Sequence, residues 1–428
     1  MKKRYDSYKP SGIDWIGDIP SHWTVCRIKD CFILKTGTTP KGFDKPINDN
    51  EINWFTPSDI SSSGTILQEA DRKLSENLIN KEGISLFPQK SLIFVGIGAT
   101  AGKLGFAEVA GYSNQQITGL IPKTCCSKYY FYYLCHDSKR VRDNASFTTL
   151  PIINNSYLSQ VYWVMPPLAE QEAIAAWLDE KCEDIDAAIA KVDREIELID
   201  ELKQSEISRV VTRGLNPDTP LRPSGIDWIG DIPEHWTKCR LKFIGSARNG
   251  LTYSPSDVKD SGKLVIRSSN IQDSKLNYDD CVFVANYPET LSVNSGDTII
   301  CSRNGSINLI GKSVFIEDDM DVTFGAFMMR FRPYEHPKYS HYLLSIAISR
   351  YKGLFATTTI NQLTADSLGK MEAVMPPYME QVQIADYLDK KCAAIDGLKA
   401  KLIKKRETLT ELRQSIISEV VTGKRKVI

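Results

Sequence analysis

The sequence lacks the features that mark membrane proteins, secreted proteins and common metal sites. Its 428 residues contain no apolar run near the roughly 18 residues that a membrane-spanning helix needs. The basic start, MKKR, has no apolar segment behind it, so the sequence predicts no secretory signal and a cytoplasmic location. Histidine occurs five times, and none of the ten cysteines forms a C-x-x-C pair, which argues against a zinc site. We expect the cysteines to be small buried side chains in a reducing compartment.

The chain also lacks an excess of charge of either sign, although a protein that binds nucleic acid by itself is usually basic. The net charge of zero conceals a pattern along the chain. Residues 24–165 carry a net charge of +3 and residues 237–375 carry +2, whereas residues 166–216 carry −7 and residues 376–428 carry +4. The acidic and the basic segment are what two partner helices would show, and the two larger blocks are left mildly basic.

An internal repeat is the strongest signal in the sequence. Residues 10–24 read PSGIDWIGDIPSHWT, and residues 223–237 read PSGIDWIGDIPEHWT. A second pair follows, MPPLAEQEAIAAWLDEKCEDID at 165–186 and MPPYMEQVQIADYLDKKCAAID at 375–396. Matching flanks with unlike interiors indicate that one scaffold was duplicated and that the material between its segments was free to differ.

A long helix is predicted after each Pro-Pro pair, because proline suits the start of a helix and not its interior. Residues 168–213 contain no proline or glycine, and Gly214 and Gly423 are expected to end the two helices. Apolar residues at heptad spacing predict a coiled-coil seam. In the first helix these are Leu178, Cys182, Ile185, Ile189, Val192, Ile196 and Ile199; in the second they are Leu388, Cys392, Ile395, Leu398, Leu402, Leu409, Leu412 and Ile416. We expect an antiparallel pair; the alternative is two separate helices, each packed on its own domain.

The two large blocks predict a different architecture. Short β-branched and aromatic runs, such as residues 91–98 and 297–303, predict strands separated by turns. Short helical stretches follow at residues 129–136 and 340–355. The expected fold class is therefore α+β: two mixed α/β domains with irregular antiparallel sheets, separated by an antiparallel coiled coil, with an internal pseudo-twofold repeat.

Motifs that suggest catalysis do not hold up when their spacing is checked. VGIGATAGK at 95–103 resembles a phosphate-binding loop, but it has five residues between its glycines and no Ser or Thr after the lysine. The second block has RNGSINLIGK at 303–312 with the same glycine spacing, and a strand–loop–strand unit explains both. MPPY at 375–378 lacks the leading Asp or Asn of a methyltransferase motif. The acidic run at 317–321 is interpreted as a solvated turn, and a packing role is expected for His22 and His235. The sequence thus predicts no catalytic residue, no metal site and no cofactor bound by this chain.

Polar loops of the two blocks instead carry the side chains that match base edges and phosphates. Arg303 and Lys103 are favoured, as cations in loops that are comparably placed in the two copies. The complete set of candidate DNA-binding residues is Lys35, Thr38, Lys41, Lys103, Gln115, Gln116, Thr148, Arg248, Arg267, Asn270, Arg303, Asn304, Lys312, Thr358, Asn361 and Gln362.

The layout resembles the specificity subunit of type I restriction-modification systems. The resemblance is carried by the duplicated SGIDWIGDIPxHW flank, the duplicated PPxxEQ helix start at 166–171 and 376–381, and the two long helices, and it covers essentially the whole chain. It implies a target-recognition domain in residues 1–165, a central helix in 166–215, a second recognition domain in 216–375 and a C-terminal helix in 376–428.

The same resemblance implies a function and partners. Each recognition domain would read one half of a split double-stranded DNA site. The helices would set the spacing and dock two modification subunits, which methylate adenine with S-adenosylmethionine, and a motor restriction subunit is an optional further partner. The main alternative is a structural coiled-coil adaptor without base-specific binding. A self-contained methyltransferase or nuclease would need a cofactor loop and a catalytic motif that the sequence does not offer.

Overall fold

A computed structural model describes residues 3–41, 50–82, 84–144, 146–147, 151–355 and 361–427. The chain divides into two compact units. The first unit comprises residues 1–193 together with 404–428, and the second comprises residues 194–403. Each long helix therefore contributes one segment to each unit.

The described part of the first unit combines short strands with four helices and the beginning of a long one. Its strands are β1 (Tyr8–Pro10), β2 (Asp18–Pro20), β3 (Thr24–Arg27), β4 (Phe32–Thr36), β5 (Glu51–Phe55), β6 (Thr65–Leu67), β7 (Arg72–Ser75), β8 (Leu92–Val95), β9 (Leu104–Ala107), β10 (Tyr112–Ser113), β11 (Ile117–Pro122), β12 (Ser146–Phe147), β13 (Pro151–Ile152) and β14 (Tyr162–Met165). Its helices are α1 (Ile28–Cys31), α2 (Glu76–Glu82), α3 (Ser127–Asp143), α4 (Asn155–Gln160) and the start of α5 (Leu168–Arg213).

A five-stranded sheet forms the centre of this unit, in the order β4-β11-β8-β9-β6. Its pairs are antiparallel except for the parallel pair β6–β9. Every residue of β8 is buried. Because side chains alternate across a strand, Leu92 and Phe94 enter one apolar cluster and Ile93 and Val95 enter another. The continuous apolar run that predicted this strand is thus explained by burial on both of its faces.

The second unit has the same kinds of element. Its strands are β15 (Leu221–Pro223), β16 (Asp231–Pro233), β17 (Thr237–Arg240), β18 (Gly245–Asn249), β19 (Val258–Lys259), β20 (Lys263–Ile266), β21 (Ile271–Gln272), β22 (Lys275–Leu276), β23 (Phe283–Val284), β24 (Thr298–Cys301), β25 (Arg303–Asn304), β26 (Ser313–Phe315), β27 (Val322–Phe324), β28 (Met328–Pro333), β29 (Asn361–Gln362) and β30 (Glu372–Met375). Its helices are α6 (Pro337–Tyr351), α7 (Ala365–Lys370) and the start of α8 (Tyr378–Val421). The larger sheets have the orders β18-β28-β24-β26 and β19-β23-β20-β27.

The duplicated flanks pack against the starts of the long helices in both units. Strand β3 pairs antiparallel with β14, and β17 pairs antiparallel with β30 in the equivalent register. In the first unit His22 Nε2 lies 2.8 Å from Glu170 Oε2, and the Tyr5 hydroxyl donates to Glu170 Oε1 at 2.5 Å. Burial raises the pKa of Tyr5, and the hydrogen bond to Glu170 raises it further. A carboxylate in the first helical turn is favoured by the helix dipole, so the duplicated His and Glu are structural partners.

The second unit repeats this arrangement, except that a tryptophan replaces the tyrosine as the second donor to the glutamate. His235 Nε2 lies 2.5 Å from Glu380 Oε1, and Trp236 Nε1 donates to Glu380 Oε2 at 2.9 Å. The duplicated glutamate of PPxxEQ therefore binds the duplicated histidine in each unit, which explains why both segments were retained in the repeat.

Each unit also receives the C-terminal end of one long helix. In the first unit the Tyr129 hydroxyl donates to the carbonyl of Val421 at 2.8 Å. In the second unit the Tyr339 hydroxyl donates to the carbonyl of Val211 at 3.3 Å. Gly214 and Gly423 follow the helix ends with φ of 74° and 75°, a conformation that glycine adopts without steric cost. Both predicted helix ends are thereby confirmed.

Within each unit the two long-helix segments run antiparallel and are joined by ion pairs. In the first unit Arg413 Nε lies 2.9 Å from Asp186 Oδ1, and Arg406 Nε lies 2.9 Å from Asp193 Oδ1. Residue numbers rise along one helix as they fall along the other, so the segments are antiparallel. The alternative of two separate helices is excluded.

In the second unit the ion pairs follow the same direction. Lys399 Nζ lies 2.7 Å from Asp200 Oδ2, and Lys203 Nζ lies 2.6 Å from Asp396 Oδ1. The predicted seam is confirmed at Leu178, Cys182, Val192, Leu388 and Cys392, which are all buried.

The predicted seam is wrong at two positions of α8. Leu398 is 51% exposed and Leu412 is 46% exposed. The neighbouring cations Lys399 and Arg413 form the interhelical ion pairs instead, and Ile417 is buried.

Candidate nucleic-acid interface

Backbone hydrogen bonds show which loop residues of the two units are equivalent. In the first unit Val95 N–H donates to the Lys103 carbonyl at 2.9 Å, and Gly102 N–H donates to the Val95 carbonyl at 2.8 Å. In the second unit Cys301 N–H donates to the Lys312 carbonyl at 2.7 Å, and Gly311 N–H donates to the Cys301 carbonyl at 2.9 Å. Lys103 and Lys312 thus have the same position, at the end of a loop that is three residues longer in the second unit.

The loops that carry the two favoured cations are equivalent, as expected, but the two cations do not occupy the same position within them. Arg303 pairs with Gln362 across a short antiparallel ladder, and its counterpart in the first unit is Ile97, which forms an isolated bridge with Ile152. Arg303 therefore lies near the start of its loop, and Lys103 lies at the end of the equivalent loop. The shared glycine spacing suggested a false alignment, because the longer loop shifts Gly305 out of register with Gly96.

A second equivalence lies on the neighbouring strands. Gly37 N–H donates to the Ile117 carbonyl at 2.9 Å, and Gly250 N–H donates to the Met328 carbonyl at 3.1 Å. A methyl group on Gly37 would overlap the carbonyl oxygen of Asn114, and one on Gly250 would overlap that of Phe324. The chain therefore needs glycine at both positions for close backbone approach.

These glycines follow two exposed candidate cations. Lys35 on β4 pairs with Gly119, and Arg248 on β18 pairs with Arg330, so the two cations stand two residues before Gly37 and Gly250 in equivalent strands. Both side chains are exposed.

In the first unit several predicted residues meet near this strand end. Thr38 N–H donates to the Ser113 carbonyl at 2.9 Å, and the Thr39 hydroxyl donates to Gln115 Oε1 at 3.0 Å. Gln116 N–H donates to Asn114 Oδ1 at 3.0 Å, and its carbonyl accepts from Gly96 at 2.8 Å. Thr38, Lys41 and Gln115 are exposed, and Gln116 and Lys103 are half-buried. The turn at 113–116 thus joins the 35–41 segment to the 96–103 loop.

In the second unit the pairing of β25 with β29 brings four predicted residues together. Arg303 lies opposite Gln362, and Asn304 lies opposite Asn361. All four side chains are half-buried. Asn361 Nδ2 donates to the Gly305 carbonyl at 2.9 Å, which ties the two segments together. Two stretches that are about 60 residues apart in the sequence therefore form one polar edge.

The structure removes Asn270 from the candidate set. Its side chain is 1% exposed, and its amide donates to the carbonyls of Asn277 at 3.1 Å and Asp280 at 2.8 Å. Arg267 is also engaged within the unit, through an ion pair of 2.7 Å with Asp280. Polar residues in turn-rich segments often serve the turn itself, and the sequence alone does not separate that use from DNA contact. Lys312 Nζ donates to the Ser268 carbonyl at 3.2 Å, and Thr148 and Thr358 lie outside the described residues.

One residue of this edge was missed from the sequence. Phe327 is the counterpart of Gln116, because its carbonyl accepts from Ser302 N–H at 2.9 Å as that of Gln116 accepts from Gly96. Its ring is 56% exposed and lies 5.6 Å from the Arg303 guanidinium carbon. An apolar residue at a strand start predicts burial, so no sequence signal indicated it.

Metal ligation finds no support at this edge or elsewhere in the described ranges. No group of three or more His, Cys, Asp or Glu side chains among the described residues is placed to hold an ion. The acidic run at 317–321 is engaged with neighbouring groups: Glu317 pairs with Lys338, Asp319 accepts from Ser295 N–H, and Asp321 pairs with Lys263. All ten cysteines are free thiols.

Comparison with known proteins identifies the family. Residues 20–198 and 233–405 match the type I restriction modification DNA specificity domain. The chain belongs to this family. The two matched segments correspond to the two copies of the internal repeat.

The relatives differ in how much of their length is matched. The type I restriction enzyme StySPI specificity subunit of Salmonella potsdam is 28% identical over 204 residues, which cover 45% of this chain and 44% of that protein. The type I restriction enzyme MjaVIII specificity subunit of Methanocaldococcus jannaschii is 22% identical over 428 residues, which cover 96% of this chain and 94% of that protein. The chain thus matches less than half of the Salmonella protein and nearly all of the archaeal one.

A solved structure shares the fold. A chain from a structural study of complex assembly and conformational transition in the type I restriction-modification system aligns with a TM-score of 0.70 and 14% identity. The alignment covers 94% of this chain and 98% of that one. No helix in the described part of the present chain is long and apolar enough to cross a bilayer.

Proposed function

We propose that this chain is the DNA-sequence-recognition subunit of a type I restriction-modification complex and that it reads a site made of two separated half-sites. The observation that supports this most strongly is the contrast between its two copies. The backbone frame is the same around Lys103 and Lys312 and around Gly37 and Gly250, but the side chains that the frame presents differ. A shared frame with different polar edges is what the reading of two different base sequences requires.

Residues 1–165 and 216–375 are the proposed recognition domains, and residues 166–215 and 376–428 are the proposed long-helix segments. The proposed contact residues in the first domain are Lys35, Thr38, Lys41, Lys103, Gln115 and Gln116. In the second domain they are Arg248, Arg303, Asn304, Lys312, Asn361 and Gln362. Lysine and arginine contact phosphates or guanine, and asparagine and glutamine suit adenine edges.

Catalysis is assigned to partners in this proposal. Two modification subunits dock on the long helices and methylate adenine with S-adenosylmethionine, and a restriction subunit joins in some assemblies. The proposed location is the cytoplasm, where the ten thiols stay reduced. Because the net charge of the chain is zero, we expect weak DNA binding by the chain alone and tight binding by the complex.

The decisive experiment maps methylated adenines across the genome in cells with and without this chain. The expected result is one bipartite motif that is methylated only when the chain is present. Exchange of residues 24–165 for the corresponding block of a relative should change one half of the motif and leave the other half and the gap unchanged. Methylation that does not depend on the chain would refute the proposal.

The alternative, a structural coiled-coil adaptor, predicts that the assembled complex crosslinks to DNA without involving the proposed contact residues of either domain. Photocrosslinking that recovers peptides from residues 96–116 and 303–327 would favour recognition. Recovery of partner peptides alone would favour the adaptor.

A further inference from the structure

The two copies present different chemistry at one equivalent position. The inference drawn from this difference rests on the proposed function. Phe327 and Gln116 are equivalent through three matched backbone hydrogen bonds. The carbonyls of Gln116 and Phe327 themselves accept matched bonds, as described above. The carbonyls of the residues that follow them, Ile117 and Met328, accept matched bonds from Gly37 and Gly250. The turns also close in the same way, from Ile117 N–H to the Asn114 carbonyl and from Met328 N–H to the Gly325 carbonyl. A glutamine in one domain thus becomes a phenylalanine in the other.

The Phe327 ring is exposed although the two residues that follow it are fully buried. It is 56% exposed, whereas Met328 and Met329 are 0% exposed. A single exposed apolar side chain is not by itself evidence of a site. The evidence for a site is the position of the Phe327 ring, at an edge lined by Arg303 and by amide side chains.

The residue is held firmly in place. Its carbonyl accepts three hydrogen bonds, from Ser302 N–H at 2.9 Å, from Arg303 N–H at 3.1 Å and from the Ser302 hydroxyl at 3.1 Å. Strand β25 begins at Arg303 and pairs with β29, so the ring stands beside the edge formed by Arg303, Asn304, Asn361 and Gln362. The backbone that carries the ring is fixed in this way, so only the side-chain torsions lose freedom when a ligand contacts the ring.

The contact with Arg303 limits what the ring can do. The guanidinium lies over the ring, 5.6 Å from its centroid, and so occupies one face. A wedge inserted between two base pairs needs both faces free, because a base lies against each. An apolar contact at the ring edge or the remaining face is still open. Among the base edges of the major groove, the 5-methyl group of thymine is the group that takes such a contact.

We infer that Phe327 contacts the 5-methyl group of one thymine in the half-site read by the second domain. The flanking amides and Arg303 supply hydrogen bonds to neighbouring base edges. At the equivalent position of the first domain, Gln116 offers hydrogen-bonding groups, so the two domains distinguish bases there by different chemistry.

Replacement of thymine by deoxyuridine tests this, because it removes the methyl group and preserves base pairing. Each thymine of the half-site is replaced singly, and binding by the complex of this chain with its modification subunits is measured by competition. One replacement is expected to weaken wild-type binding about four-fold, the value of one buried methyl group. The F327A complex should bind the thymine duplex more weakly and be insensitive to that same replacement.

Tyr334 provides a matched control. It is 67% exposed and follows β28 at the end opposite Phe327. The Y334A complex should keep the full deoxyuridine penalty. Thermal unfolding of both variants checks that they are folded.

The outcomes separate this inference from the proposed function. A sequence-specific complex in which F327A keeps the deoxyuridine penalty, or in which no thymine of that half-site is sensitive, overturns the role of Phe327 and leaves the proposed function standing. If the complex tolerates every deoxyuridine replacement while F327A loses binding to all DNA sequences, Phe327 acts as a wedge between base pairs. This result would also overturn the inference. A folded complex without any sequence preference overturns the proposed function itself.

Discussion

The carbonyl oxygens of Lys103 and Lys312 accept equivalent hydrogen bonds, from Val95 at 2.9 Å and from Cys301 at 2.7 Å. The two lysines end loops of different length, so the frame fixes the lysine while the loop before it varies. A cation retained at a constant place beside a variable loop suits a phosphate contact, since the phosphate backbone is the same for every base sequence.

The first prediction concerns Lys103. K103A should weaken DNA binding by the complex to a similar extent on all sequences, because a phosphate contact carries no base information. The slope of log affinity against log salt concentration should fall by about 1. K29A, which removes an exposed lysine on α1, serves as a charge-matched control and should leave the slope unchanged. A K103A complex with an altered methylation motif would contradict the phosphate assignment.

The second prediction concerns two proposed base-contacting residues, one in each recognition domain. Q116A should relax one base position in the half-site of the first domain, and R303A should relax one position in the half-site of the second. Each change should cost about 1–3 kcal/mol of discrimination. Methylation mapping for each variant measures this, and each variant is the control for the other. The assignment fails if both variants alter the same half-site.

The third prediction concerns the glycines that permit close strand approach. G37A and G250A should each destabilise their unit by about 1–3 kcal/mol, because the added methyl group would overlap backbone carbonyls that have little freedom to move. Denaturant unfolding of the full chain measures the shift. Gly305 is a matched control at the same edge, since an added methyl group there would meet nothing within 4 Å. A shift in G305A as large as that in G250A would contradict the assignment to overlap.

The fourth prediction concerns pH. Burial lowers the pKa of His341 to about 4; the charge of Asp389 opposes this shift and that of Lys338 adds to it. The unfolded chain titrates near the ordinary value of 6.5 and therefore binds protons more readily than the folded chain. The contribution of His341 to stability is thus complete above pH 6.5 and is lost as pH falls towards 4.

Urea unfolding between pH 7.5 and pH 4.5 measures this effect. H341Q keeps a polar group near the Thr298 hydroxyl, which lies 3.2 Å from His341 Nδ1, but it does not titrate. The variant should therefore show a shallower fall in stability with acidification, whatever its stability at neutral pH. Identical pH dependence in the two proteins would refute the assignment to His341.

Much of the architecture was set by local patterns that survive in a single sequence. Pro167 and Gly214 bracket α5, which spans Leu168–Arg213 as expected, because proline fits the first turn and glycine fits the left-handed residue after the last turn. The duplicated flanks predicted two equivalent modules, and the pairing of the two long helices followed from heptad spacing together with opposite charge. Such signals need only neighbouring residues, and helix periodicity is repeated often enough to be unambiguous.

The candidate interface was decided by contacts between distant segments. Arg303 and Gln362 meet because β25 pairs with β29, Lys103 matches Lys312 across loops of unequal length, and Asn270 turns inward to close a loop. The sequence supplied the polar side chains, the repeat and the two long helices. Only tertiary structure determined which side chains share an edge, because strand pairing and burial depend on residues far apart in the chain, whose spacing had diverged between the copies.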